Sequence, residues 1–551
     1  MGKARMRSRL VVGLLAAATL AACGGSGEQS GASNAAATNG SPSNNPASSA
    51  PTTASDQTTP ASDAAPPATK PSDPKGVLRV GANLNVGAGV VISPEDAPNP
   101  AYLGMLSMVH GTPLMAVQNG LEPYLAESVK VVDDRTVTVT LRANLHFHDG
   151  KPYEAQNLAD GLLAHRDATK PITDQGILKL IDRIEVLSPT ELKITTVGAD
   201  AGRIPTALAG AGSMVASPGS DGSVGTGPYK VVSFDKANHL EVAKWDQFVD
   251  ADKYQLAGIK WVHVAAGEAA QNALRAGQVD LISTSPADLD ALVASGDFGS
   301  VLTNNQGHYY LSLCRATPPF DNPKIRRALN LAIDREQLNE FVMGGKSEVM
   351  TQQWPPSSPN YTDVGINPRG DKEAARKLLQ EAGGFDKEIP FAVYSGVQNQ
   401  ERLLEVVQAQ LEEIGLEIKI IPVTSPIKET ITPATGGGLI IANINNGLEK
   451  VLVPILSPKS PFNACDGEDP ELGKLMAPLR AGNLTDAEQA SAWHTAEQYL
   501  IDNTLAVPLV TQPSIYVYNK SRVQGLRSGT IGLTGATVPS MQLDGVSMIA
   551  R

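Results

Sequence analysis

Hydrophobic and polar positions change their spacing along this chain, and the changes divide it into regions. Residues 10–20 are an apolar run behind four basic residues, Lys3, Arg5, Arg7 and Arg9. Residues 24–75 contain no Leu, Ile, Val, Met or aromatic residue. From Gly76 onward the patterns are those of a packed fold. Residues 77–80 read as a strand, followed by a Gly/Asn-rich turn at Gly81-Ala82-Asn83-Leu84-Asn85. Residues 136–142 alternate, with Val137, Val139 and Leu141 on one face and threonines on the other. Ile184/Val186 and Leu192/Ile194 flank Ser188-Pro189-Thr190 and predict a hairpin.

Further along, helices alternate with strands. Asn322-Pro323 is a capping side chain followed by Pro at the first helical position. The helix it starts buries Ile325, Ala328, Leu329, Ala332 and Ile333 and is expected to run to Gly344-Gly345. A second helix extends from Asp371 through Leu378, Leu379 and Ala382 to Gly383-Gly384. A third carries Leu403, Leu404, Val407, Leu411 and Ile414, stops at Gly415 and leads into a strand at residues 416–420. Helix and strand joined by a short Gly turn indicate an α/β fold.

The N-terminal run is too short to span a bilayer and has the layout of a secretory signal. It ends in Leu20-Ala21-Ala22-Cys23 followed by Gly24-Gly25, which resembles the bacterial lipobox. That resemblance implies cleavage after residue 22 and a diacylglyceryl group on Cys23, hence a protein anchored by lipid to a membrane surface outside the cytoplasm. An ordinary signal peptide with an incidental Cys23 is the alternative. Residues 23–75 would then be a disordered tether, since they lack the apolar area that offsets ordering entropy.

Charge narrows the partners. The formal net charge is −12, and loss of residues 1–22 takes it to −16, because four basic and no acidic residues leave. Basic clusters are absent outside the first ten residues, which argues against nucleic acid and against a polybasic grip on anionic lipid. At 551 residues the chain has room for two or three domains.

Several stretches, in order, resemble the family 5 extracellular solute-binding proteins, the peptide/nickel-type group. They are Ala126-Glu127-Ser128 with Asp133 and residues 136–142; Phe147-His148-Asp149-Gly150-Lys151-Pro152; Gly225-Thr226-Gly227-Pro228-Tyr229; Ala273-Leu274 through Gly277 to Val279-Asp280; and Pro319-Phe320-Asp321 with residues 326–335. The resemblance covers residues 77–525. It implies an α/β, two-lobed type II periplasmic-binding-protein fold with an extra domain inserted in the N-terminal lobe. Lobe I would comprise residues 76–110, 220–305 and 506–551, the inserted domain 111–219, and the C-terminal lobe 306–505, with a crossing strand at residues 309–313. It also implies a monomer that captures a small solute in the interlobe cleft and delivers it to ABC permease and ATPase subunits on separate chains, without a cofactor.

Candidate ligand contacts are Asn83, Asn85, His110, Tyr309, Gln353, Trp354, Asn443, Asn445 and Asn446. Peptide-binding relatives often carry a W-x-x-D segment whose Asp meets a free α-amino group. Ala442-Asn443-Ile444-Asn445-Asn446-Gly447 stands in its place here, with neither Trp nor Asp. Amides suit hydroxyls, amides and carbonyls and do not neutralise an ammonium, so a neutral or anionic solute is expected. A mere surface loop is the alternative for these asparagines. Cys314 and Cys465 remain after lipidation and, in an oxidising compartment, are expected to pair; two buried thiols are the alternative.

Other classes fit less well. The body lacks a G-x-S-x-G elbow, a His-Glu-x-x-His run and a Walker loop, so a secreted hydrolase is disfavoured. His146-x-His148-Asp149 offers two ligands on one strand face but no third nearby, and no metal is expected there. A lipoprotein scaffold or signalling adaptor with a vestigial cleft remains the rival reading.

Overall fold

The computed structural model describes residues 70–84, 92–96, 103–117, 120–170, 174–303, 307–358, 360–395, 398–424, 430–443, 449–457, 460, 463–527, 531–532, 540–541 and 543–550. Cys23, Asn85, Asn445 and Asn446 lie outside them.

Two mixed sheets organise the body. The first is seven-stranded, in the spatial order Phe298–Thr303, Ser514–Asn519, Leu281–Ser283, Val77–Ala82, Gly258–His263, His239–Lys244, Tyr229–Asp235. Its three inner strands, Leu281–Ser283, Val77–Ala82 and Gly258–His263, are parallel. The second is five-stranded, in the order Ile418–Val423, Ile389–Tyr394, Gly438–Asn443, His308–Leu313, Val507–Thr511, with the first three parallel. A separate four-stranded antiparallel sheet, Ala126–Asp133, Thr136–Leu141, Glu191–Thr196, Ile181–Ser188, comes from the inserted part of the first lobe. Val137, Val139 and Leu141 are buried, and Ile184 and Val186 face Ile194 and Leu192 as the alternation requires.

Local signals hold at the helices. Asp371 caps Lys372–Glu381 through Ala374 N–H, and Leu403, Leu404, Val407 and Leu411 form the fully buried stripe of Gln398–Glu412. The helix expected from Pro323 to Gly344 is instead two, Pro323–Ala332 and Arg335–Met343. Asp334 starts the second by accepting Gln337 N–H at 2.9 Å. Arg335 turns inward and donates to the carbonyls of Pro508, Asn330 and Ile333, and Arg335 N–H reaches the Pro368 carbonyl. These bonds satisfy the polar groups that the break frees.

Three boundaries differ from the sequence reading. The first strand continues through Gly81 and Ala82, because both pair with Val262 and His263. Contacts with the body are made upstream of Gly76: Ser72 bridges Ile549, and Asp73 N–H donates to the Met548 carbonyl. Residues 507–511 belong to the second sheet, so the return to the first lobe falls after Thr511 rather than at residue 506. Apolar alternation reads the same in either sheet; only pairing decides membership.

Candidate functional site

Sheet register fixes which strand ends lie beside the passages between the lobes, where the fold class has its crevice. Ligands of open α/β sheets bind outside the carboxyl ends of the parallel strands. In the first lobe those ends are Ala82, His263 and Ser283; in the second they are Tyr394, Val423 and Asn443. Both passages between lobes leave from the same ends. Thr303 pairs with Ser514, and His308 pairs with both Asn443 and Thr511. Gln512 N–H donates to the Gly307 carbonyl at 2.7 Å, tying one passage to the other. The strand at residues 309–313 thus opens the second lobe immediately after a passage, and His308 marks its crevice end.

The candidate contacts distribute unevenly around this crevice. Asn83 follows the first strand directly, and Asn443 ends the Gly438–Asn443 strand. Gln353 is buried beside the crevice end: its Oε1 accepts His308 Nε2–H at 3.1 Å, and its N–H donates to Glu497 Oε1 at 2.7 Å. Trp354 is buried edge-to-face against Trp493, with ring centroids 5.2 Å apart. Tyr309 is buried, and its hydroxyl is hydrogen-bonded by the side chains of Asn399 and Gln512; burial pushes its pKa up to about 12. His110 is fully buried and donates Nε2–H to the Ile92 carbonyl at 2.8 Å. His110 Nδ1 is buried without a hydrogen-bond partner among the described residues.

Sequence reasoning missed other polar atoms near the same end. Thr284 Oγ1, just past the Leu281–Ser283 strand, and Gln400 Oε1, in the first turn after residue 397, are buried without a hydrogen-bond partner among the described residues. Buried polar atoms in that state are where a ligand or ordered water is expected to bind. No periodic pattern signals a lone Thr or Gln at a strand end.

The motif histidines are structural. Gly225 N–H donates to His148 Nδ1 at 3.3 Å, and His148 Nε2–H donates to the Gly227 carbonyl at 2.9 Å. Both ring nitrogens are therefore used by the Gly225–Tyr229 turn, while His146 Nδ1 bonds the Asn144 carbonyl. The same turn packs against the end of the Leu103–His110 helix. A Cβ on Gly225 would lie 2.2 Å from the Val109 carbonyl oxygen, and one on Gly227 would lie 2.5 Å from that of Met108.

Charges meet where the lobes touch. Glu449, which opens the short helix after the 443–447 segment, gives both oxygens to Arg203 of the first lobe, at 2.7 and 3.0 Å. Asp174 lies nearby in the left-handed backbone region, with φ of 67°. Burial, with Glu449 adding repulsion against the pull of the Gly212 and Ala211 N–H groups, pushes its pKa up to about 7. Cys314 and Cys465 are joined by a disulfide, with Cα atoms 5.2 Å apart, which pins the Ala464–Asp466 turn behind the His308–Leu313 strand.

The family model for bacterial extracellular solute-binding proteins, family 5 Middle, matches residues 120–447. The glutathione-binding protein GsiB of Salmonella paratyphi A is 28% identical over 309 residues, covering 54% of this chain and only 60% of that protein. GsiB of Shigella dysenteriae serotype 1 is 24% identical over 470 residues, or 81% of this chain and 90% of that protein. The crystal structure of the ABC transporter substrate binding protein CtaP from Listeria monocytogenes superposes with a TM-score of 0.73 at 21% identity, over 86% of this chain and all of that one. At that identity the structural likeness is one of fold.

Proposed function

The chain belongs to the bacterial extracellular solute-binding proteins of family 5, and on that premise we propose that it takes a small polar solute, neutral or anionic, into the interlobe crevice and passes it to an ABC import permease, while anchored outside the cytoplasm by lipid on Cys23. Binding without turnover is part of this reading.

The observation that carries the solute class is the pairing of Glu449. It is the carboxylate that follows the asparagine-rich segment, and Arg203 occupies both of its oxygens. An ammonium arriving there would have to displace a bidentate guanidinium. Asn83, Thr284 and Asn443 at or just past the strand ends, and Gln400 in the first turn of the Gln398–Glu412 helix, are amide and hydroxyl residues, a class that donates to and accepts from carbonyls, hydroxyls and carboxylates.

Native mass spectrometry of the purified protein identifies what it carries. Calorimetry with that solute then compares the wild type with Asn443→Ala, Asn445→Ala and Asn446→Ala. Each lost hydrogen bond is expected to cost about 0.5–1.5 kcal/mol. Unchanged affinity in all three removes the segment from the site. Glutathione, for which the GsiB relatives are named, carries an ammonium as well as carboxylates and is the first probe. Tight binding that requires its free α-amino group would overturn the solute class.

A further inference from the structure

Two short stretches from opposite lobes meet with matching spacing. On the first lobe, the turn after the Glu191–Thr196 strand carries Asp200, Gly202 and Arg203. On the second, the Pro470–Ala481 helix ends in Arg480 and Gly482. Arg480 grips Asp200 with Nε to Oδ1 at 2.7 Å and Nη2 to Oδ2 at 3.0 Å. Arg203 grips Glu449 in the same two-bond manner. Beside them the backbones touch. A Cβ on Gly202 would lie 2.6 Å from the Leu479 carbonyl oxygen, 2.7 Å from Gly482 Cα and 2.9 Å from the Arg480 carbonyl oxygen. All three atoms belong to the other lobe.

The first-lobe turn is braced by hydrogen bonds within its own lobe. Asp200 N–H donates to the Gly198 carbonyl, Arg203 N–H to the Asp200 carbonyl, and Ala201 N–H to the Asp134 carbonyl. Thr196 Oγ1–H donates to the Gly198 carbonyl at 2.6 Å. The acid, the glycine and the base are thus presented in a fixed geometry, which lowers the ordering cost of docking. Once docked, the side chains of Asp200 and Glu449 are each only 6% exposed. Asp200 also lies 3.7 Å from Arg203 of its own turn, whereas Glu449, paired across the lobes, is strongly destabilised if Arg203 leaves without water replacing it. The pairs are therefore either made with the lobes together or solvated with the lobes apart, and intermediate separations are disfavoured.

We propose that Asp200, Gly202 and Arg203, with Arg480, Gly482 and Glu449, are the positioning residues that hold the two lobes closed for solute capture. The chain supplies this lock from its own charges, so it adds to the affinity for every solute by favouring the closed form, whatever the solute's chemistry. The consequence for affinity rests on the proposed solute role of the crevice; the closure itself does not, and it is measured without solute.

The test is small-angle X-ray scattering of the purified mature chain, stripped of co-purified solute by dialysis from denaturant and refolded, with nothing added. The wild type is expected to give the smallest radius of gyration of the set. Gly202→Val is a wedge: residue 202 is outside the left-handed region, and the three atoms nearest its Cβ all belong to the opposite lobe. It should shift the radius of gyration upward while the far-UV circular dichroism stays the same. Asp200→Asn and Arg480→Gln should each give an upward shift, and the double variant should shift no further than either alone, the signature of one shared interaction. Should Gly202→Val fail to fold, Arg480→Ala at the half-exposed helix end gives the same reading. A folded wedge variant with the wild-type radius overturns the proposal. A chain that locks in this way yet takes up no solute leaves the lock standing and overturns the proposed function instead.

Discussion

Arg79 donates Nε–H and Nη2–H to the two oxygens of Asp280, at 2.9 and 2.7 Å, across 201 residues of sequence. Arg79 N–H reaches the same carboxylate at 3.1 Å, and Arg522 approaches it from the strand pair at the other end of the chain. Burial alone would raise the pKa of Asp280, but the bonds from Arg79 and Arg522 outweigh it and hold the carboxyl below its usual range. The acid that ends the Gly277–Asp280 motif thus ties the first strand, the Leu281–Ser283 strand and the C-terminal segment together.

Replacing Asp280 by Ala leaves two guanidiniums aimed at an apolar methyl. A destabilisation of about 3 kcal/mol is expected, read as a lower urea midpoint at unchanged slope. A loss below about 0.5 kcal/mol would show that the two arginines are satisfied by solvent.

The Cys314–Cys465 bridge closes a span of 151 residues. In the chain-entropy account such a loop contributes about 5 kcal/mol. The Cys314→Ala, Cys465→Ala double variant should unfold at markedly lower denaturant than the wild type. Thiol counting under denaturing, non-reducing conditions should find neither cysteine reactive in the wild type.

Gly227 lies where a side chain would meet the Met108 carbonyl oxygen at 2.5 Å. Gly227→Ala forces the turn off the helix end and should cost about 1–3 kcal/mol. His148→Ala should be destabilising as well, because it removes the imidazole that both accepts from and donates to this turn.

His110 sets a pH dependence. Burial lowers its pKa to about 4, against the smaller opposing pull of the Ile92 carbonyl. The unfolded residue titrates near 6.5. Between those values the unfolded chain binds a proton that the folded chain refuses, so stability is full above pH 6.5 and declines as the pH falls toward 4. At pH 5 this group alone should have removed about 2 kcal/mol. Urea midpoints at pH 7 and pH 5 should converge more closely in His110→Gln than in the wild type. Equal differences would mean that His110 takes up its proton in place.

Features that depend on neighbours in sequence were legible in it. The valines and threonines of 136–141 announce a strand because side chains alternate across a sheet. Asn322-Pro323 and Asp371 announce helix starts because a cap acts over three residues. The order of short motifs from Ala126 to Arg335 pointed to the family, and with it to two lobes and a crevice. Where sequence reasoning went astray, the competing signal came from a distance. The helix beginning at Pro323 breaks at Ile333 because Pro508 and Pro368 supply carbonyls for Arg335. The 507–511 strand joins the second sheet because His308–Leu313 is there to pair with it.

What the sequence by itself determined is therefore the local conformations, the low-complexity stretch ahead of the body and the class of fold that the motifs require. What only the tertiary structure decided is which groups oppose one another: His148 with the Gly225 turn, Glu449 with Arg203, and Gly202 with Gly482. The reason is physical. Periodicity and capping are short-range properties of a single segment, whereas a charge pair or a glycine-to-glycine contact is set by the register of sheets and lobes hundreds of residues apart, and no spacing along the chain encodes it.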